Sequence, residues 1–214
     1  MNEFQSTLWT LIRGAGQGDE AALRAFVGRY RDPVAAYCRR RGFAADADDL
    51  AQEVLIRLLQ DGVLRGADPA RGRFRSLLLA VTKHVIGNHV ERETAQKRGA
   101  GRVEPLADRD LAAPAPDDDF DREWVAHLVR TALDRLAKER PQYHDALRQF
   151  LLEGRTYAEI AKATGCAESD VKNRVFRGKG KLVAFLREAV KEYSESEKGY
   201  EEELAWLDRM MPGG

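Results

Sequence analysis

The chain has 214 residues, enough for one or two domains, with 35 Lys plus Arg against 35 Asp plus Glu and a formal charge of zero. Its two cysteines, Cys38 and Cys166, stand far apart with no C-x-x-C pair, which excludes a disulfide framework and a zinc finger and leaves both as small buried apolar residues. No run approaches the ~20 apolar residues of a membrane span and the first residues hold no apolar signal core, so a soluble, cytoplasmic protein without membrane insertion is expected.

The zero total conceals segregated signs. Residues 66–102 are basic, 103–123 acidic, 171–187 basic, and the tail after Arg187 acidic again. Such alternation fits two polyanion-facing surfaces with acidic segments between and behind them. Nearly every periodic segment has helical spacing and none alternates as a strand, so an all-α fold is expected. Phe4 to Arg13 places Leu8, Leu11 and Ile12 on one side, with Trp9 beside them. The following GAGQG lacks the preceding strand and the Gly-Lys-Ser/Thr ending of a phosphate loop, so it is a turn. Asp19 caps a helix with Ala22, Leu23, Phe26, Val27 and Tyr30 as its apolar stripe. Pro33 is predicted to open a separate helix, with Val34, Tyr37 and Cys38 inward and Gly42 as its stop. Arg39, Arg40 and Arg41 lie at its negative end, where a dipole role and a binding role both fit.

Asp46 to Gln60, DADDLAQEVLIRLLQ, buries Leu50, Val54 and Leu58 with Leu55 and Leu59 alongside, and presents Asp49, Gln52, Glu53 and Ile56 on the opposite side. Carboxylates at i and i+4 repel each other by a few tenths of a kcal/mol. The helix dipole accounts for the aspartates of the first turn but not for Glu53, a full turn further in; a basic partner surface would account for the whole face. Metal catalysis is not expected, because His84 and His89 are spaced so that they do not share one helical face. Asp61 to Arg73 is a loop punctuated by Pro69 and Gly72. Phe74 to Arg92 is a long helix burying Leu77, Leu78, Val81, Val85 and Ile86, with Arg75, Lys83, Asn88, His89 and Arg92 outward. Arg71 and Arg73 precede it; Lys97, Arg98 and Arg102 follow. Such a face is either simply solvated or suited to hold a phosphate backbone and displaced bases.

Gly99 to Asp119 has no apolar periodicity, carries Pro105, Pro114 and Pro116, and ends in three aspartates; it is predicted to be an extended linker. Phe120 to Lys138 resumes a helix through Trp124, Leu128, Ala132, Leu133 and Leu136, and Pro141 opens another with Ala146, Leu147, Phe150 and Leu151 inward. Thr156 to Leu182 then gives two short helices around Gly165, with Ile160, Ala161, Val171, Val175 and Leu182 at apolar spacing. The pattern outlines either a helix-turn-helix or an ordinary αα-hairpin. From Val171 to Arg187 there are six Lys or Arg and no Asp or Glu, which matches a phosphate surface. Gly178 and Gly180 each cost about 1 kcal/mol of helix stability relative to Ala, so this segment is predicted to fray. In the tail, Tyr200, Leu204, Trp206, Leu207 and Met210 form an amphipathic stripe with Glu201, Glu202 and Glu203 on the other side; it is either a capping helix or an acidic mask over the basic second helix.

The D-x-x-D-L-x-Q-E-V helix at Asp46 to Val54, the F-R-S-L-L helix at Phe74 to Leu78, the acidic linker and the Y-A-E-I-A…V-K-x-R-V-x-R pair together resemble the extracytoplasmic-function branch of the sigma-70 family of RNA polymerase sigma factors. The resemblance covers Trp9 to Arg98 and Phe120 to Leu186. It implies two helical domains, at 1–98 and 120–190, joined by a flexible acidic linker at 99–119 and followed by an acidic helical tail at 191–214. It further implies core polymerase binding by Asp49, Gln52 and Glu53, and −10 DNA contacts from Arg71, Arg73, Arg75, Lys83, Asn88 and Arg92. In the same way it implies −35 contacts from Thr156, Ser169, Lys172, Asn173, Arg174, Phe176, Arg177, Lys179 and Lys181, with Lys172, Asn173 and Arg177 nearest the bases. Phe176 stands where a polar residue is common in the family, which suits a thymine methyl. The expected partners are core RNA polymerase and promoter DNA. An anti-sigma factor or other regulator is the family's usual control, though no residue identifies one. No cofactor, metal or catalytic residue is expected. Two rivals stay open: a helix-turn-helix regulator that does not bind core polymerase, and a recombinase, which would need an α/β domain that no strand pattern supports.

Overall fold

The computed structural model describes residues 11, 14–15, 17–60, 74–97, 117–194 and 196–211. The first expected helix apart from Leu11, the Asp61–Arg73 loop and the linker up to residue 116 lie outside them. Among the described residues the regular elements are α-helices: α1 (Glu20–Arg40), α2 (Ala47–Gln60), α3 (Phe74–Lys97), α4 (Asp118–Glu139), α5 (Pro141–Leu151), α6 (Tyr157–Thr164), α7 (Glu168–Tyr193) and α8 (Glu197–Met210). None of them is long and apolar enough to cross a membrane. The chain divides into two compact units, Met1–Val125 with Glu192–Gly214, and Ala126–Lys191.

In the first unit, Asp19 caps α1 by accepting from the backbone N–H groups of Ala21 at 2.8 Å and Ala22 at 3.2 Å. The turn before it closes with Gly18 at φ 86°. The expected break at Pro33 does not occur: α1 runs through it to Arg40. An interior proline costs about 3 kcal/mol. Here Phe26, Tyr30, Pro33, Val34, Tyr37 and Cys38 all bury on one continuous face, which outweighs the lost hydrogen bond. Gly42, at φ 96°, ends the segment as expected. Burial raises the Cys38 thiol to about 11, leaving it unreactive, whereas Cys166 is only half-buried.

The core of this unit is aromatic. Tyr30 lies 4.7 Å from Phe74 and stacks on Trp124 at 6.1 Å; Phe120 meets Tyr37 edge-on at 5.4 Å and Trp124 meets Tyr193 edge-on at 5.4 Å. Phe120 and Trp124 come from the first turns of α4, and Tyr193 from the end of α7. The opening of α4 buries its aromatics against α1 and α3, and the compact units accordingly divide between Val125 and Ala126. Helix α8 belongs to the same unit, capped by Ser196, with Glu203, Trp206 and Leu207 buried. Glu203, which periodicity puts on the side away from the apolar stripe, is nevertheless only 2% exposed.

The second unit buries Leu128, Ala132 and Leu136 of α4, Ala146 and Leu147 of α5, Ile160 and Ala161 of α6, and Val171, Val175, Phe185, Leu186 and Val190 of α7. Leu151, expected inward, is 51% exposed at the end of α5. Thr156 and Glu159 form a reciprocal capping box at the start of α6, and Gly165 ends it in the left-handed conformation at φ 67°. The expected fraying of α7 is absent; the helix is continuous for 26 residues. Gly178 is buried against α5, and a Cβ there would stand 2.8 Å from Leu147 Cδ1 and 3.2 Å from the Tyr143 carbonyl oxygen. Gly180 has nothing within 4 Å.

The two glycines should therefore respond oppositely in thermal unfolding of the full chain. Gly178→Ala overpacks the α5–α7 contact and lowers stability by about 1–3 kcal/mol, whereas Gly180→Ala raises it by about 1 kcal/mol through helix propensity.

Candidate nucleic-acid interface

Helix α7 divides its circumference cleanly. Val171, Val175 and Gly178 point into the second unit, while Ser169, Lys172, Asn173, Phe176, Arg177 and Gly180 recur at i, i+3, i+4, i+7, i+8 and i+11 on the exposed side. Lys179 and Lys181 fall on opposite flanks of that side. Phe176 is 77% exposed, an unusual cost for a large aromatic in water. Lys172 is held by Glu168 at 2.9 Å, which raises its ammonium above the usual range through that hydrogen bond, and its charge lies 5.8 Å from the Tyr157 ring. Lys179 lies 5.5 Å from the Phe150 ring. Arg174 is half-buried and, with Gln142, Tyr143, Asp170, Asn173 and Arg177, lines a cleft of about 320 Å³. Thr156 is exposed, but its hydroxyl accepts from the Glu159 backbone N–H, so its visible task is capping.

The acidic face of α2 also forms. Asp49, Gln52 and Ile56 are exposed side by side, and Glu53 is half-exposed. Glu53 is engaged internally: both of its oxygens accept from Arg92 of α3, at 3.2 and 3.0 Å. One residue expected on a partner-protein face and one expected on a DNA face are thus each other's partners.

The expected −10 group needs correction. Arg71 and Arg73 lie outside the described residues. Arg75 is not outward; it is 8% exposed, pairs with Asp121, lies 3.5 Å from Glu203 and stacks over the Trp206 ring at 3.8 Å. Asn88 is likewise buried at 7%, donating its amide N–H to His84 Nε2 at 3.0 Å. Helical periodicity put both on a solvent side that α4 and α8, or neighbouring side chains, in fact cover. Lys83 and Arg92 remain accessible, Lys83 with its ammonium 3.0 Å from Asp117.

Asp117 is a structural residue that periodicity overlooked. Its carboxylate caps α4 through the Phe120 N–H at 3.3 Å and accepts from the Tyr37 hydroxyl at 2.9 Å. Burial works against its charge, yet the hydrogen bonds from Lys83, Tyr37 and Phe120 hold the carboxyl below the usual range. The Tyr37 hydroxyl is correspondingly pushed up, by burial first and by Asp117 next. A second unforeseen group is Asp46, His89 and Glu93, whose possible ligand atoms lie within 4.8 Å of one another. The His-x-x-x-Glu spacing on α3 was visible in the sequence, whereas Asp46 joins it only through the α2–α3 packing. Both carboxylates are about half exposed, at 46% and 48%, so the cluster is a loosely held surface group.

Residues 26–96 match the family model for sigma-70 region 2, and residues 127–182 match that for sigma-70, region 4. The chain is similar to the ECF RNA polymerase sigma factor SigC of Mycobacterium tuberculosis, 29% identical over 179 residues that cover 81% of this chain and 88% of that protein. It is also similar to the ECF RNA polymerase sigma factor SigE of Mycolicibacterium smegmatis, 29% identical over 84% of this chain and 68% of that protein. SigL of M. tuberculosis is 28% identical over 77% of this chain and 88% of its own length.

If the exposed side of α7 meets duplex DNA, Lys181→Ala weakens binding to mixed-sequence duplex and flattens the log K against log salt slope by about 0.9, the loss of one phosphate contact. Phe176→Ala leaves that slope unchanged. Fluorescence anisotropy across a salt series checks both.

Proposed function

The chain belongs to the sigma-70 family of RNA polymerase sigma factors, in the extracytoplasmic-function branch, and recognises promoters to initiate transcription; from that premise we propose how it divides the work. The first unit recruits core polymerase and engages the −10 element. Asp49 and Gln52, with Ile56 beside them, dock on a basic surface of the core enzyme, and Glu53 joins them by exchanging Arg92 for a core cation. Lys83 and Arg92, with Arg71 and Arg73 of the preceding loop, hold the opened strand. The second unit reads −35 duplex through Lys172, Asn173, Phe176 and Arg177, with Ser169, Arg174, Lys179 and Lys181 toward the phosphates.

The observation that carries this assignment is the exposed side of α7, where cations, an amide and a bare aromatic ring share one face of a helix that is rigidly seated on its other face. That geometry suits entry into a major groove. Arg75 and Asn88 support the first unit from within and are not proposed as DNA contacts. The chain would act in the cytoplasm without catalysis of its own, and an anti-sigma factor or other regulator would restrain it. A regulator that ignores core polymerase is not favoured, because it would have no use for a region 2 segment.

Run-off transcription with core polymerase tests the proposal, and promoter-dependent transcripts are the expected result. Asp49→Lys should weaken core binding about tenfold, on the order of 1.4 kcal/mol, without affecting duplex binding by α7. Core affinity that ignores the Asp49 reversal would move the docking surface elsewhere.

A further inference from the structure

The opening of α4 lays a row of carboxylates on cations of the first unit. Asp117 lies 3.0 Å from Lys83, Asp119 lies 3.7 Å from Arg40, Asp121 pairs with Arg75, and Glu123 accepts from Arg40 Nε at 2.8 Å. Alternate residues along the segment thus each meet an ammonium or guanidinium group of α1 or α3. Behind them, Glu203 of α8 approaches Arg75 at 3.5 Å, and Trp206 closes over the same guanidinium.

Helix capping explains only part of this. A cap needs one acceptor, which Asp117 supplies to Phe120. The helix dipole favours acids in the first turn but assigns them no partners. A chain that carries a negative charge at regular intervals, each seated on a cation, reproduces the charge pattern of a nucleic-acid backbone.

We infer that the opening of α4, Asp117 to Asp119, is an intramolecular phosphate mimic: in the free chain it occupies Lys83 and Arg40, and single-stranded DNA must displace it to engage α3. The inference rests on the assignment of α3 to the opened strand. The arrangement suits an exchangeable cover. The Lys83 and Arg40 side chains are 37% and 42% exposed, so their pairs are individually weak and open to competition from a stronger polyanion. The Arg75 cluster is buried and stays closed, so the segment lifts from an anchored end rather than unfolding the unit.

Asp117→Asn is the discriminating variant, because Asn caps helices as well as Asp: its one side-chain oxygen keeps the Phe120 N–H, and its amide N–H, in place of the second oxygen, donates to the Tyr37 oxygen. In the full chain it removes charge without removing the cap. Its affinity for a fluorescein-labelled oligothymidine should rise about two- to fivefold, the range that corresponds to loss of one exposed ion pair. Lys83→Gln in the same background should abolish the gain. Unchanged affinity in Asp117→Asn, or a gain that survives Lys83→Gln, overturns the inference. Hydrogen exchange on the unaltered chain decides independently of any folding defect. The Phe120 and Asp121 amides, which both bond to Asp117, should lose protection when the chain and core polymerase are assembled on bubble DNA, and retained protection in that complex overturns the inference as well. Active run-off transcription combined with either negative result removes the mimic alone and leaves the functional assignment standing.

Discussion

A buried arginine organises the first unit. The Arg75 guanidinium can leave water only because Asp121 neutralises it, Glu203 lies beside it and the Trp206 ring covers its face. Two acids against one cation leave a negative excess, and the Tyr193 hydroxyl donates to Glu203 at 3.2 Å to offset part of it. Burial, and then Glu203, push the Tyr193 hydroxyl well above its ordinary range, so it stays a donor. Removing one partner from such a cluster typically costs about 3–5 kcal/mol, because a charge is left buried and unpaired. The cluster therefore ties three distant pieces of chain together: the start of α3, the start of α4 and the tail helix.

That tie explains the composition of the surrounding core. Once Asp121 is fixed, Phe120 and Trp124 on the same helix must face α1 and α3, where they join Tyr30, Tyr37 and Phe74. Once Glu203 is fixed, Trp206 and Leu207 are inside as well. The tail is thus part of the first unit's core, and its acidic side is partly spent on holding Arg75. The second unit solves a simpler problem with apolar packing. Gly178 lets α7 approach α5 closely, and the close seating of one face leaves the opposite face free to present its cations in a fixed array.

Electrostatic competition links structure to function in the first unit. Glu53 with Arg92 and Lys83 with Asp117 are pairs whose members each also suit an external partner. Half-exposed pairs contribute only about 0–1 kcal/mol each. In the proposed division of work, polymerase and DNA would therefore replace them at little expense, whereas the Arg75 cluster resists exchange. The same residue types thus serve as scaffold or as contact surface according to how completely water is excluded from them.

The amino-acid sequence by itself determined the local features. Helical faces, the Asp19 cap, the Thr156–Glu159 capping box, the Gly42 and Gly165 stops and the uniformly basic side of α7 follow from interactions that reach no more than about four residues along the chain. The order of those elements also carried the family. Tertiary structure alone decided the rest. Pro33 lies within a helix because the burial of its whole face outweighs one missing hydrogen bond, a sum over neighbours from other helices. Arg75, Asn88 and Glu203 have the spacing of solvent-facing residues, and only the placement of distant segments puts them inside. Gly178 and Gly180 look alike in sequence, yet one faces Leu147 and the other faces open space. Periodicity states which side of a helix a residue occupies; what covers that side is a long-range fact, set by packing and by the need to pair every buried charge.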